Sequence, residues 1–253
     1  MLTIRREQME ALEAAAVRDF ERRMLAHLRQ FFPKHLAVLG EPTLRAVIRF
    51  GVGRGSIHGF TTEHDLCLYV DLMLLLGSLF DEDPQLPWAD AILHDAGIPD
   101  SAERAERLYD EAMAFLDDAA GEDGQYLTRA LVTLHKHPLK ETWAPGPGKL
   151  EDRLLAHLRA LWPQKYECVG AGPLGLMVHR GVEGAARNHV AGDFGALVFV
   201  VLMFFLGSGF DRDPQYPWAL AILGDASPAS RAARAQRLDE ASRAHLNAWM
   251  ART

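Results

Sequence analysis

The sequence predicts an all-α fold made of two tandem homologous helical units of about five helices each, packed together. Three observations carry that expectation. The chain repeats itself without a gap at an offset of 130 residues, so that Leu25-Ala26-His27-Leu28-Arg29 returns as Leu155-Ala156-His157-Leu158-Arg159. Apolar residues recur at i+3 and i+4, the period of a buried helix face. No convincing run alternates apolar and polar side chains as a half-buried strand would. Residues 23–109 share 35 identities with 153–239 over 87 positions, and 16 of them fall in the 21 positions from Leu76 to Ala96. Duplication explains that density, and it divides the chain into a first unit at 1–123, a connector at 124–149 and a second unit at 150–253. The run Pro145-Gly146-Pro147-Gly148 serves as the linker.

Within the first unit, Leu12, Ala16, Phe20, Met24, Leu28 and Phe31 mark a long amphipathic helix that ends near Pro33. Leu44, Val47 and Ile48 mark a second after Pro42-Thr43. A third starts at Thr61-Thr62, with Asp65 placed to complete a capping box, runs from Leu66 to Leu76 and stops at Gly77. The segment after Gly77 reads as a structured turn, because Asp and Ser accept from backbone amides while Pro84 and Pro87 fix φ. A short helix covers Trp88 to Leu93 with Pro87 at its start. The last helix starts after Asp100-Ser101, with Ala102, Ala105, Leu108, Tyr109, Ala112, Phe115 and Leu116 on one stripe.

Composition limits the function classes. Hydrophobic residues make up 49% and charged residues 24% of 253, a globular composition. The N-terminal segment from Met1-Leu2-Thr3 onward lacks the apolar stretch of a secretory signal, so a cytoplasmic location is expected. The longest apolar run, Phe194 to Leu206, is too short to span a bilayer and reads as a buried helix. Cys67 and Cys168 do not correspond between the copies and suggest neither a disulfide framework nor a metal site. The net charge of −7 divides unevenly: residues 1–123 carry 12 basic and 23 acidic side chains, and 124–253 carry 15 and 11. An acidic lobe beside a mildly basic one disfavours nucleic acid and suits charge-steered protein contact.

Four groups of residues are candidates for chemistry. Asp81 and Asp83, with Asp211 and Asp213, put paired carboxylates in an exposed-looking turn that hard cations favour. An EF-hand loop counted from Asp81, however, would need Gly and Glu where Leu86 and Ile92 stand. Turn formation and capping are the leading reading. Gly51-Val52-Gly53-Arg54-Gly55 lacks the strand or Lys-Ser/Thr of a phosphate loop, so a helix end or kink is expected there. His27 and His157 recur as packed or capping residues, whereas His135 and His137 lie in the connector. Phe80, Phe210, Trp88 and Trp218 either seal the core or anchor a partner. No Ser-His-Asp or Cys-His grouping emerges, so no catalytic residue, metal or cofactor is assigned.

The pattern Tyr69-Val70-Asp71-Leu72-Met73, Leu76-Gly77, Phe80-Asp81-Glu82-Asp83-Pro84, Pro87-Trp88-Ala89 and Ile92-Leu93 resembles a group of uncharacterised bacterial helical proteins associated with type VI secretion or PAAR-type toxin loci. The resemblance covers the core of the first copy and, more loosely, the second, where Phe199 and Val201 replace Tyr69 and Asp71. It implies an accessory role as effector chaperone, loading adaptor or immunity protein. The expectation is therefore a non-enzymatic protein whose partner is a secreted toxin or its carrier, with neither nucleic acid nor membrane as partner. Glu63, Asp65, Phe80, Asp81, Asp83, Trp88, Asp211, Asp213 and Trp218 are the candidate contact residues. A metal-binding protein or enzyme using Asp81 and Asp83, with His58 or His64, is the alternative. Copy one keeps the charged start of the third helix, and function is expected to concentrate there.

Overall fold

Fourteen α-helices form among the described residues, 6–143 and 146–251 of the computed structural model, and no strand occurs there. Met1 to Thr3, Pro145 of the linker and the side chain of Leu12 lie outside the described residues. The first copy contains α1 (Arg6–Phe31), α2 (Pro33–Leu39), α3 (Glu41–Ile57), α4 (Glu63–Leu76), a 3-10 turn at Phe80–Glu82, α5 (Pro87–Leu93) and α6 (Ser101–Ala120). Then come α7 (Gln125–Lys136) and α8 (Leu139–Thr142). The second copy contains α9 (Leu150–Leu161), α10 (Pro163–Val169), α11 (Ala171–Arg187), α12 (Gly192–Leu206), α13 (Pro217–Gly224) and α14 (Pro228–Met250). The bounds of α10 and α11 are those of α2 and α3 displaced by 130 residues.

Local chemistry accounts for the helix ends. The Thr62 hydroxyl accepts from the Asp65 amide and caps α4, which contributes about 1 kcal/mol. The capping box stays half built, because the Asp65 carboxylate accepts from the Ser101 hydroxyl instead and ties α4 to the start of α6. Asp100 caps α6 by accepting from the amides of Ala102 and Glu103. Gly77 ends α4 at φ +101° and Gly207 ends α12 at φ +97°, a region where L side chains are strained.

Two expectations need correction. Each copy has six helices rather than five, because α2 and α10, opened by Pro33 and Pro163, carry no periodic signal. Seven residues make barely two turns, too few to display a face. The glycine run Gly51 to Gly55 does not end α3, which continues to Ile57. A Cβ on Gly51 would stand 2.6 Å from the Val70 side chain, and one on Gly55 2.7 Å from Leu66. These glycines let α3 and α4 approach closely, and Gly181 against Val200 does the same between α11 and α12.

The apolar interior forms two clusters. One runs from Phe20 on α1 to Ala112 on α6, the other from Ala130 on α7 to Leu246 on α14. The helix α12 is buried at every position from Gly195 to Phe204. No helix among the described residues is long and apolar enough to cross a membrane.

Candidate functional site

The most repeated segment of the sequence faces its own counterpart. Asp83 Oδ2 accepts from the Ser208 amide at 2.7 Å, and Asp213 Oδ2 accepts from the Ser78 amide at 2.7 Å. Gln85 Nε2 donates to the Met203 carbonyl at 2.9 Å, and Gln215 Nε2 to the Met73 carbonyl at 2.8 Å. Each glutamine thus adds a second donor to a carbonyl in the last turn of the other copy's central helix, which already accepts from the Gly77 or Gly207 amide. A Cβ on Gly77 would lie 2.8 Å from the Leu206 carbonyl oxygen, and one on Gly207 3.0 Å from that of Leu76. The backbones touch at this seam. The next carbonyls are covered as well: His35 donates to Leu74 O at 3.2 Å, and its counterpart Lys165 donates to Phe204 O at 2.5 Å. Burial lowers His35 to about 4 and Lys165 to about 8.

This corrects the picture of an exposed acidic turn. Asp81, Asp83 and Asp213 are buried, as are Phe80 and Asp65, and Asp213 is raised by desolvation. The two carboxylates of the first turn diverge, Asp83 into the seam and Asp81 toward α3, so they do not converge on one cation. Trp88 and Trp218 are half-buried, each with its indole Nε1 unpaired, and Asp211 is half-buried near Asn188. Glu63 is open to solvent and pairs with Arg23. His64 is exposed and plays no part in the Asp81 cluster.

Away from the seam the copies diverge, and copy one carries two polar clusters that copy two lacks. In the first, Asp81 Oδ2 accepts from His58 Nε2 at 2.7 Å and from Arg54 Nε at 3.1 Å. Burial pushes the Asp81 carboxyl up, but the bonds from His58 and Arg54 outweigh it and hold the group below its ordinary value. Tyr69 is buried beside this pair, and burial, then the Asp81 charge, pushes its phenol up. Arg104 donates to the His58 carbonyl at 2.9 Å and anchors the end of α3 to α6. The nearby Ser56 hydroxyl donates to the Val52 carbonyl, so the His–Asp pair is not aimed at that hydroxyl. Copy two has Gly184, Asn188 and Phe199 where copy one has Arg54, His58 and Tyr69. A cleft of about 590 Å³ opens there beside Gly184, lined by Arg180, Arg187 and Arg212.

The second cluster joins α1 to α4. His27 Nε2 lies 2.8 Å from Asp71 Oδ2, and the Cys67 sulfur, one turn before Asp71, completes a trio whose ligand atoms lie within 4.8 Å of one another. Burial raises Asp71, and burial followed by the Asp71 charge pushes Cys67 up to about 12. In copy two Leu197 and Val201 stand at the positions matching Cys67 and Asp71, and the His157 Nε2 is buried without a partner.

The chain matches no family model, no curated protein and no solved structure.

Sequence reasoning missed Arg54, Tyr69, Cys67, Asp71 and Gln85 as site residues. A signal was present for the first four. Each is ionisable in copy one and replaced by glycine or an apolar residue in copy two, which separates polar clusters peculiar to one copy from the shared frame.

Proposed function

We propose that the protein is a non-enzymatic, protein-binding accessory factor, and that its two homologous units pack as a pseudo-symmetric pair across the Asp83/Asp213 seam. The observation that carries the reading is the contrast between α6 and α14. Glu103, Glu106, Asp110, Glu111, Asp117 and Asp118 are all exposed on α6, with Tyr109 exposed among them. The matching positions on α14 are Ala233, Gln236, Glu240, Ala241, Asn247 and Ala248, with one acid in six. The two helices share an arginine at matching positions, half-buried as Arg104 and buried as Arg234, while only the outer face of α6 is rich in acids. An acidic helix face bearing an aromatic side chain suits a basic protein surface, with charge steering the encounter and the ring supplying buried area. The proposed contact surface is therefore α6 rather than the retained turns, which are occupied by each other.

The resemblance to proteins of type VI secretion and PAAR-type toxin loci supports a cytoplasmic effector chaperone, loading adaptor or immunity protein, with a basic toxin or its carrier as partner. The test is co-purification of the full chain at low salt, with mass spectrometry of what accompanies it. A stoichiometric basic protein that dissociates as salt rises, and is lost from the E106K/D110K/D117K variant, is the expected result. A partner retained by that variant overturns the surface. Recovery of no stoichiometric partner overturns the reading.

A further inference from the structure

We infer that His27, Cys67 and Asp71 form a binding site for one thiophilic divalent cation, zinc being the type. The three side chains offer an imidazole nitrogen, a thiolate sulfur and a carboxylate oxygen, the donor types that zinc takes in sites with three protein ligands. Their atoms lie within 4.8 Å of one another. Zinc bonds of roughly 2.0 to 2.3 Å in a tetrahedral arrangement place ligand atoms about 3.3 to 3.8 Å apart. The site therefore needs only rotamer-scale movement: His27 and Asp71, now 2.8 Å apart, separate slightly as the ion comes between them.

The scaffold is suited to holding these groups. Cys67 and Asp71 stand at i and i+4 on α4, so one helix face presents both, and α4 is fixed by its Thr62 cap and its close packing on α3. His27 comes from α1, with its ring packed against Phe31 at 4.7 Å. A second observation points the same way. Asp71 Oδ1 is buried with no hydrogen-bond partner, an unfavourable arrangement that a coordinated cation would relieve. His27 and Cys67 are only partly buried, so the trio is not sealed from solvent.

The second copy supplies the contrast. It keeps the histidine as His157 but has Leu197 and Val201 at the other two positions, so it cannot bind. The pairing of a cysteine with a carboxylate is peculiar to copy one. It is also independent of the Asp81 cluster, which belongs to the turn after α4.

The experiment uses the full chain purified without chelator. Zinc is titrated into it against a chromophoric chelator, and cobalt is then substituted and followed by absorption. Binding of one zinc per chain is expected, weakened at least tenfold in H27Q, C67S and D71N, since even loss of residues that merely support metal ligands costs about 10- to 100-fold. The cobalt form should show a thiolate charge-transfer band that C67S abolishes and C168A keeps. H157Q should bind zinc as the parent does. Near-isosteric substitutions keep the fold, which circular dichroism checks. A parallel rise in Tm with zinc, present in the parent and absent in D71N, reads the site without removing the sulfur. Absence of saturable binding, or affinity unchanged in both C67S and D71N, overturns the inference.

Discussion

Copy one and copy two keep the same seam and differ in the two polar clusters that lie away from it. At the seam, Ser78, Asp83 and Gln85 mirror Ser208, Asp213 and Gln215 in the amide-to-carboxylate and glutamine-to-carbonyl bonds. Beyond it, Arg54, His58, Cys67, Tyr69 and Asp71 have become Gly184, Asn188, Leu197, Phe199 and Val201. A contact made by two copies of one surface constrains both, because a change in either orphans a partner in the other. Residues that serve only their own copy lack that constraint. Where the copies agree they report mutual packing, and where they disagree they report specialisation.

The largest expected effect tests the agreement. Asp83→Ala removes the acceptor of the Ser208 amide and hydroxyl and of the Gln85 amide, and should cost about 3 to 5 kcal/mol in urea unfolding. Asp213→Ala should match it within about 1 kcal/mol. A difference larger than that would break the equivalence of the two halves of the seam.

The next test bears on the disagreement. Asp81→Ala leaves Arg54 and His58 around a missing charge and should cost about 3 kcal/mol. Asp211→Ala, whose side chain reaches the Asn188 amide at 3.4 Å and Arg212 at 3.8 Å, should cost less than about 1 kcal/mol. Equal losses would show that the turn carboxylate is structural in both copies.

The frame was legible in sequence and the clusters were not, for physical reasons. Caps, prolines and glycines act over a few residues, so Thr62, Gly77, Pro87 and Asp100 announce their helix ends directly. The pairs His58 with Asp81 and His27 with Asp71 join residues 23 and 44 positions apart on different helices, and periodicity says nothing about which faces meet. The paired aspartates read as exposed because polar turn residues usually face water. Here the water is replaced by the other copy.

A third effect, spread over a range of pH, distinguishes the C-terminal helix from its counterpart. His245 stands where α6 has Phe115, accepts from Trp249 Nε1 at 3.0 Å and is lowered to about 4 by burial. His35 packs edge-on against the same Trp249 and is lowered alike. As pH falls, the unfolded chain therefore takes up these protons near 6.5, before the folded chain does. The stability they permit is whole above about 6.5 and lost as pH falls toward 4, by up to roughly 3 kcal/mol for each site. Urea midpoints measured from about pH 7.5 to 4.5 should fall over that window, and His245→Gln should flatten the fall. A midpoint that stays constant from about pH 6.5 to 4.5 would show that neither ring resists its proton.

The smallest effect should have opposite signs in the two copies. His157 retains a buried nitrogen with no partner, because the residue matching Asp71 is Val201. His157→Leu removes an unsatisfied polar atom and should stabilise the chain by about 1 kcal/mol, less whatever the ring gains from its edge-on contact with Trp143. His27→Leu at the matching position deprives Asp71 Oδ2 of its bond while Oδ1 is already unpaired, and should destabilise by about 1 to 3 kcal/mol. The same substitution thus reads the same ancestral histidine in two settings. Like signs would mean that the imidazole is held by its aromatic neighbours in both copies, and that the Asp71 pairing does not set the difference between them.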